Sequence, residues 1–436
     1  MQKLDSMIAT YPRSQAGHRG GNDGARPAAA RTLRVLLVVE CAGGGTGRHV
    51  LDLARGLAAR GCDVHLLYSP LRMDALFAER LTKLIRSGGM TCATIPVRSS
   101  IHPSDLSVAL KVRRYLNEHG PFDLVHGHSS KGGALARLAA FGTGCPALYT
   151  PHGLIVTDPS VALPKRALYL LIEWALSRVT KRIIAVSPEE CRASARSGLG
   201  RRRLTVVPNG VEPAITSRRD EMRRRLGFSK NELVVGFVGR LVDGKAPHLL
   251  LEAFARVSAD SPQARLVVIG DGPLMSRLRE LAAELDISDR VILLGQRDAR
   301  SEYAGFDLFA ICSRKEGLPY VVLEAMAAGL PVVATESSGV EMLVEPGVNG
   351  EVVPRDDMPA FAEALGRLIS DGSLRERYAM AARERAMRFT IEGMVDATLD
   401  VYHDAIGVGH SLSAPAAEPR DEHMNLDAET ALEVIA

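Results

Sequence analysis

Glu316-Gly317-Leu318-Pro319-Tyr320-Val321-Val322-Leu323-Glu324-Ala325-Met326-Ala327-Ala328-Gly329-Leu330-Pro331-Val332-Val333-Ala334-Thr335 reads as a loop, a helix and a buried strand. Pro319 suits the first turn of a helix, where its missing N–H would have found no partner. Leu323, Met326 and Ala327 give that helix an apolar side, Gly329 ends it, and residues 331–334 follow as a strand. Two carboxylates stand in it, Glu316 in the loop and Glu324 inside the helix. Gly317 lets a ligand approach the backbone, and the free N–H groups of the helix start favour an anion. The plainer alternative is one surface charge before a helix and one solvated charge within it.

Upstream, strand candidates at 291–294 and 308–311 lead through Ser313-Arg314-Lys315 into this stretch. Residues 233–239 form a further strand ending in glycine, followed by Arg240-Leu241-Val242-Asp243-Gly244-Lys245. Its two cations, Arg240 and Lys245, are the charges a diphosphate requires. Val267-Val268-Ile269-Gly270-Asp271-Gly272-Pro273 is another strand closed by a glycine turn, and Val207-Pro208-Asn209-Gly210-Val211 is turn chemistry before a charged connector. Residues 374–403 read as strongly helical. Asp356-Asp357 lie in a turn after a strand and read as solvated charge rather than a metal pair.

The first half alternates short apolar runs with helical stretches. Residues 34–40 read as a strand buried on both faces, with further strands at 64–68, 92–96, 124–126, 147–150, 183–186 and 204–207, the pattern of a doubly wound α/β domain. Gly43-Gly44-Gly45-Thr46-Gly47 follows the first strand and leads into a helix at 51–57. Its spacing is neither GxGxxG nor a Walker loop, so it is either a tight turn or a ligand loop. His126-Gly127-His128-Ser129-Ser130-Lys131 ends a strand; two histidines invite a metal, but no third ligand stands nearby in sequence. Thr150-Pro151-His152-Gly153 sits at another strand's carboxyl end, where open α/β sheets bind ligands. The helix at 167–176 is flanked by Lys165, Arg166, Arg178, Lys181 and Arg182. It is too short, and carries Glu173, to span a membrane, but its basic flanks suit either solvent or an anionic membrane surface.

With 436 residues the chain has room for two domains, and 46% hydrophobic with 24% charged residues is the balance of a globular protein. A net charge of +3 and 5% aromatics argue against a nucleic-acid partner. The six cysteines are scattered, which reads as buried thiols in a reducing compartment. Residues 1–31 lack the apolar core of a secretory signal and read as a disordered leader, and 407–436 as a mobile tail. A cytoplasmic protein is expected.

EGLPYVVLEAMAAGLPVVAT, together with the PNGV turn, the Arg240/Lys245 pair, the GDGP turn and the His152-Gly153 step, resembles the family 4 glycosyltransferases, retaining enzymes of the GT-B architecture. The similarity runs over roughly residues 34–403. It implies two Rossmann-like, doubly wound parallel-sheet domains facing across a cleft: an acceptor side at 32–212, a nucleotide-sugar side at 213–389, and a helix at 390–406 returning to the first domain. By the same resemblance His152 contacts the donor sugar, Arg240 and Lys245 neutralise the leaving diphosphate, Glu316 lies beside the sugar hydroxyls and Glu324 grips the ribose. Gly44, Gly45, Gly47, Gly270, Gly272, Gly317 and Leu318 complete the donor site, and His128 and Lys131 face the acceptor. One departure is Ala246, where the family usually has glycine. The implied reaction moves a sugar from a UDP- or GDP-linked donor to a glycan or lipid-linked acceptor of cell-surface polysaccharide, with no metal or other cofactor and with peripheral contact to an anionic membrane. A nucleotide-sugar epimerase of the same architecture, or a non-catalytic binding protein, are the alternatives.

Overall fold

The computed structural model describes residues 32–408 apart from 99, 158–160, 214–218 and 338. The leader at 1–31 and the tail beyond 408 lie outside the described residues.

The first sheet consists of β1 (Arg34–Val39), β2 (Asp63–Tyr68), β3 (Thr91–Thr94), β4 (Leu124–His128), β5 (Ala147–Thr150), β6 (Arg182–Ala185) and β7 (Leu204–Val206). Its order is β3-β2-β1-β4-β5-β6-β7, and every pair is parallel. Helices α1 (Gly44–Ala59), α2 (Ala75–Arg86), α3 (Ser104–His119), α4 (Ser129–Ala140), α5 (Leu163–Ser177) and α6 (Pro188–Arg196) connect the strands. A short α7 (Arg219–Arg225) opens the second half, whose sheet has the order β10-β9-β8-β11-β12-β13 and is again parallel. Its strands are β8 (Leu233–Val238), β9 (Ala264–Ile269), β10 (Val291–Leu293), β11 (Leu308–Ile311), β12 (Val332–Thr335) and β13 (Gly350–Val353). Around them lie α8 (Pro247–Ser258), α9 (Met275–Glu284), α10 (Tyr320–Ala327), α11 (Val340–Leu343), α12 (Met358–Ser370) and α13 (Gly372–Ala386), and α14 (Ile391–Ile406) follows.

Both sheets are covered on both faces by apolar clusters, which is why their strands read as continuous rather than alternating hydrophobic runs. Each has one point where strand order reverses, between β1 and β4 and between β8 and β11. Ligands of open α/β sheets bind outside the carboxyl ends of the strands at such points.

Helix α14 leaves the second half and packs on α1. Ile391, Met394, Val395 and Tyr402 enter the core of the first sheet, and Gly56 is required because any Cβ there would collide with Val395. Arg60–Asp396 at 2.5 Å, Arg182–Asp404 at 2.5 Å and Tyr402 hydroxyl to His126 Nδ1 at 2.7 Å fasten it.

Local structure departs from the sequence reading at several places. Strand β4 runs two residues further than expected, because β1 and β5 flank it and pair with His128 through Val39 and Thr150. Helix α1 starts at Gly44 rather than near Leu51: the Asp74 carboxylate accepts from Gly44 N–H at 2.8 Å, and Gly44 takes the left-handed φ of +55° that the turn needs. The helical run at 374–403 breaks between α13 and α14, where Thr390 caps the second helix and bridges to Val211. Among the six thiols, all free, only Cys312 is fully buried; the others are half-buried, so expected burial holds for one of them. Asp357 caps α12 and Asp356 pairs with Arg314 at 2.9 Å.

Helix α5 is turned inside out. Its buried face carries Glu173, which pairs with buried Arg137 at 2.9 Å and accepts from the Tyr149 hydroxyl at 3.2 Å, while Leu163, Leu168, Leu171 and Trp174 are exposed.

Candidate active site

The two reversal points face one another. From the first half come the start of α1 after β1, and His152 after β5; from the second come Arg240 after β8 and the Glu316–Glu324 stretch after β11. Two adjoining cavities of about 340 and 270 Å³ lie between them and share Gly44, Gly45, Gly239, Arg240, Tyr320 and Val321. The larger is also lined by Gly270, Asp271, Gln296, Arg297 and Glu324, the smaller by Thr46, His152, Asn209, Lys245, Glu316, Gly317 and Leu318.

Helices α1 and α10 both point their N-termini into this space. The first-turn N–H groups at Gly45, Thr46, Tyr320 and Val321 have no helical carbonyl ahead of them, which makes the cleft attractive to an anion. Lys245 is ion-paired with Glu316, whereas Arg240 lines both cavities and makes no ion pair among the described residues. The loop between them closes at Ala246, which adopts φ +43°, the conformation that a glycine would take at lower cost. The backbone shape therefore survives the sequence departure.

Glu324 is not a solvated helix position. It forms an ion pair with Arg48 of α1 and accepts from the Tyr303 hydroxyl at 2.9 Å. Arg48 also pairs with Asp52 at 3.3 Å and lies 4.6 Å over the Tyr320 ring. Burial works against the charge on Arg48, but Glu324 and Asp52 outweigh it and hold the guanidinium firmly protonated. Asn209 joins the halves a second time: its Nδ2 donates to Leu318 O at 2.8 Å and its Oδ1 lies 3.0 Å from His49 Nδ1. Gly317 lets the two halves approach closely, since a Cβ there would stand 3.3 Å from Gly153 N.

His152 has φ +56°, an uncommon backbone for a non-glycine residue. Buried Glu190 holds the loop by accepting from Gly153 N at 2.5 Å and from Val186 N at 2.8 Å. Behind it stand His128, with Nδ1 at 3.1 Å from His152 Nε2, then His49 and His126. Burial pushes His49 down to about 4 and His126 to about 3, and drives His128 and His152 well below the usual imidazole value. The cluster is neutral near pH 7. The unfolded chain keeps ordinary imidazoles and takes up protons first on acidification, so stability present above about pH 6.5 is lost as pH falls toward 4. His49 and His126 alone are expected to remove about 3 kcal/mol between about pH 7.5 and 5.5, at roughly 1.36 kcal/mol per unit each. Urea unfolding at the two pH values measures this; equal stabilities would contradict neutral burial.

The structure does not bring every anticipated residue into the cleft. Gly47 lies inside α1, where a Cβ would meet Phe77 and Ala42, and Gly272 packs on the Leu241 backbone; both are glycines for packing rather than for ligand approach. His128 is buried in β4 and supports His152 instead of facing an acceptor. Lys131 donates to Arg98 O at 2.9 Å, to Ser100 O, and pairs with Asp105 at 2.9 Å, so its charge is already engaged. The sequence reading missed Arg48, His49, Tyr320 and Asn209. Asn209 stood in the quoted turn and Arg48-His49 directly after the glycine run, but only the tertiary fold sets them opposite Glu324 and Leu318.

Residues 43–215 match the family described as Glycosyltransferase Family 4, and residues 218–385 that described as Glycosyl transferases group 1. A D-inositol 3-phosphate glycosyltransferase of Acidothermus cellulolyticus is 32% identical over 387 residues, covering 83% of this chain and 86% of that protein. The UDP-Gal:alpha-D-GlcNAc-diphosphoundecaprenol alpha-1,3-galactosyltransferase of Escherichia coli is 30% identical over 296 residues, covering 65% of this chain and 76% of its own. Anabaena HepE, solved in complex with UDP and glucose, is similar in fold with a TM-score of 0.74 at 23% identity, over 86% of this chain and 100% of that one.

Proposed function

The chain belongs to the family 4 glycosyltransferases, with the GT-B fold, and on that premise we propose that it transfers a hexose from a UDP-sugar to a lipid-linked glycan acceptor, retaining the anomeric configuration. One observation carries this: Arg240, Lys245, Glu316, Glu324 and His152 line one cleft between two helix N-termini. The uridine diphosphate lies along the second half, its ribose at Glu324 and its phosphates at Arg240, Lys245 and the start of α10. An arriving phosphate competes for Lys245 and releases Glu316 to the sugar hydroxyls. His152, above the smaller cavity, contacts the sugar from the opposite half. The fixed cations and N–H groups stabilise the departing diphosphate, so no metal is required. The leaving phosphate oxygen takes the proton of the attacking acceptor hydroxyl, which closes the balance without a separate base.

Support for UDP is the relative that uses UDP-Gal, and that relative's diphosphoundecaprenol acceptor supports a lipid-linked one. Thermal unfolding with UDP-, GDP-, ADP- and dTDP-sugars tests the donor. UDP-sugar at a hundred times its Kd adds about 2.7 kcal/mol and raises Tm visibly. Stabilisation by another nucleotide alone replaces UDP, and none by any of them removes the donor site.

An enzyme with such an acceptor works at the cytoplasmic face of a membrane. Among the described residues no helix is long and apolar enough to cross one. The outward leucines of α5 neighbour exposed Leu138 of α4 and Phe141 just after it, and α4 in turn packs beside α3 with its exposed Leu106 and Leu110; Lys165, Arg178 and Lys181 flank α5. Exposed apolar and basic groups together suit an anionic bilayer. Co-sedimentation with phosphatidylglycerol vesicles is expected to fall at least tenfold in Leu168→Ser/Leu171→Ser/Trp174→Ser; unchanged binding would remove this surface from the account.

A further inference from the structure

His49, His128 and His152 come from three separate segments, yet each offers a ring nitrogen within 4.8 Å of the other two. Their ring centres stand 5.5 Å (His49–His128), 4.5 Å (His49–His152) and 5.4 Å (His128–His152) apart. Three imidazoles bound to one tetrahedral ion at about 2.0–2.1 Å would have ring centres roughly 5 Å apart. The observed triangle has nearly that size.

Proton placement suits ligation at His49. Asn209 spends its Nδ2 on Leu318 O, so its Oδ1 is the acceptor toward His49 Nδ1, which carries the proton. His49 Nε2 keeps its lone pair, and Asn209 is the kind of outer partner that fixes a metal-binding imidazole. His128 turns its Nδ1 toward His152 Nε2, 3.1 Å away, so an ion held by both rings would take the place of that hydrogen bond. His126 is excluded as a ligand because both its nitrogens are engaged, by Tyr402 and Thr150. The group contains no carboxylate, which disfavours magnesium and calcium and favours a borderline ion. The route in is the cleft itself, since His152 lines the smaller cavity.

We propose that His49, His128 and His152 form a binding site for one transition-metal ion of the Zn²⁺ class, and that its occupancy withdraws His152 from the donor and stops transfer. The binding half stands on the triangle alone; the inhibition half rests on the reading of His152 as a contact of the donor sugar.

The full chain, freed of metal with EDTA, is titrated with Co²⁺ and followed by visible absorption. One equivalent is expected to give the ligand-field bands of a four-coordinate ion, and Zn²⁺ to abolish them. His49→Gln and His128→Gln, checked for unchanged circular dichroism, are each expected to weaken Co²⁺ binding at least about a hundredfold, and Asn209→Ala about tenfold. His102→Gln, which removes an exposed imidazole, leaves it unchanged. Zn²⁺ is expected to stop transfer in the native enzyme, reversibly with EDTA, and to require at least tenfold more in Asn209→Ala. Absent bands, or equal bands in both ligand variants, overturn the site. Bands without inhibition overturn the regulatory half and count against the role of His152 in transfer. Where the bands are absent, loss of transfer in metal-free His152→Ala leaves the proposed activity standing and only the metal site fallen.

Discussion

Lys245→Ala is expected to lower kcat for transfer by a factor of about 100–1,000 while changing the donor KM far less. The diphosphate gains charge as the glycosidic bond breaks, so a cation fixed beside it binds the transition state more tightly than the ground state. On the proposed reaction Lys245 and Arg240, both lining the smaller cavity, are the two side chains that would do this. Loss of one donor to a developing oxyanion commonly costs about 3–4 kcal/mol, which is that same range in rate. A complication is built into the site: Lys245 is paired with Glu316, and its removal leaves that carboxylate alone in a cleft where it is only 10% exposed. Lys245→Ala/Glu316→Gln separates the two effects. If electrostatic stabilisation of the leaving group dominates, the double variant is as slow as the single one; recovery of kcat would mean that the stranded carboxylate caused the loss. A KM effect alone would reduce Lys245 to ground-state binding. Arg240→Ala should behave alike, without the complication, because it makes no ion pair among the described residues.

What the sequence could show follows from the range of the interactions involved. Fully buried parallel strands write themselves as unbroken apolar runs, and turns at their carboxyl ends write themselves in Gly, Pro and Asn. Strands β1, β5, β8 and β11, and the loop-helix-strand from Glu316 to Thr335, were therefore readable to within a residue or two. The cleft's charged residues were readable because they follow those strands directly. Glu324 was readable as a carboxylate but not as half of an interdomain pair, since Arg48 is 276 positions away. The histidine triangle was hidden for the same reason. Of the two histidines that end β4 only His128 belongs to it, and its other two members arrive from α1 and from the loop after β5. Lys131 shows the converse: a lysine beside a strand end looks available in sequence, whereas Arg98 O, Ser100 O and the Asp105 carboxylate engage it in the fold.

Glu324→Ala is expected to weaken UDP binding by about a hundredfold and also to destabilise the fold by about 3–5 kcal/mol, the cost of stranding the opposite charge of a buried pair. Glu324 and Arg48 are 11% and 9% exposed, and the pair is the charged contact by which α1 of one half meets α10 of the other. Tyr303 adds a hydroxyl to the same carboxylate. Removing Glu324 leaves Arg48 with only Asp52, across 3.3 Å, and takes from the ribose its proposed acceptor. The two losses can be told apart. Arg48→Met/Glu324→Gln removes both charges, so it should recover most of the stability, with a coupling of about 0.5–3 kcal/mol in the double-mutant cycle. It should recover none of the nucleotide affinity, because Gln cannot supply the charged acceptor. Calorimetric titration with UDP alongside urea unfolding reads both quantities on the same four proteins. UDP affinity that returns with stability would mean that Glu324 acts only by holding the two halves together, and the ribose would then have to be placed elsewhere in the larger cavity, with Asp271, Gln296, Arg297 and Asp298 among its polar lining.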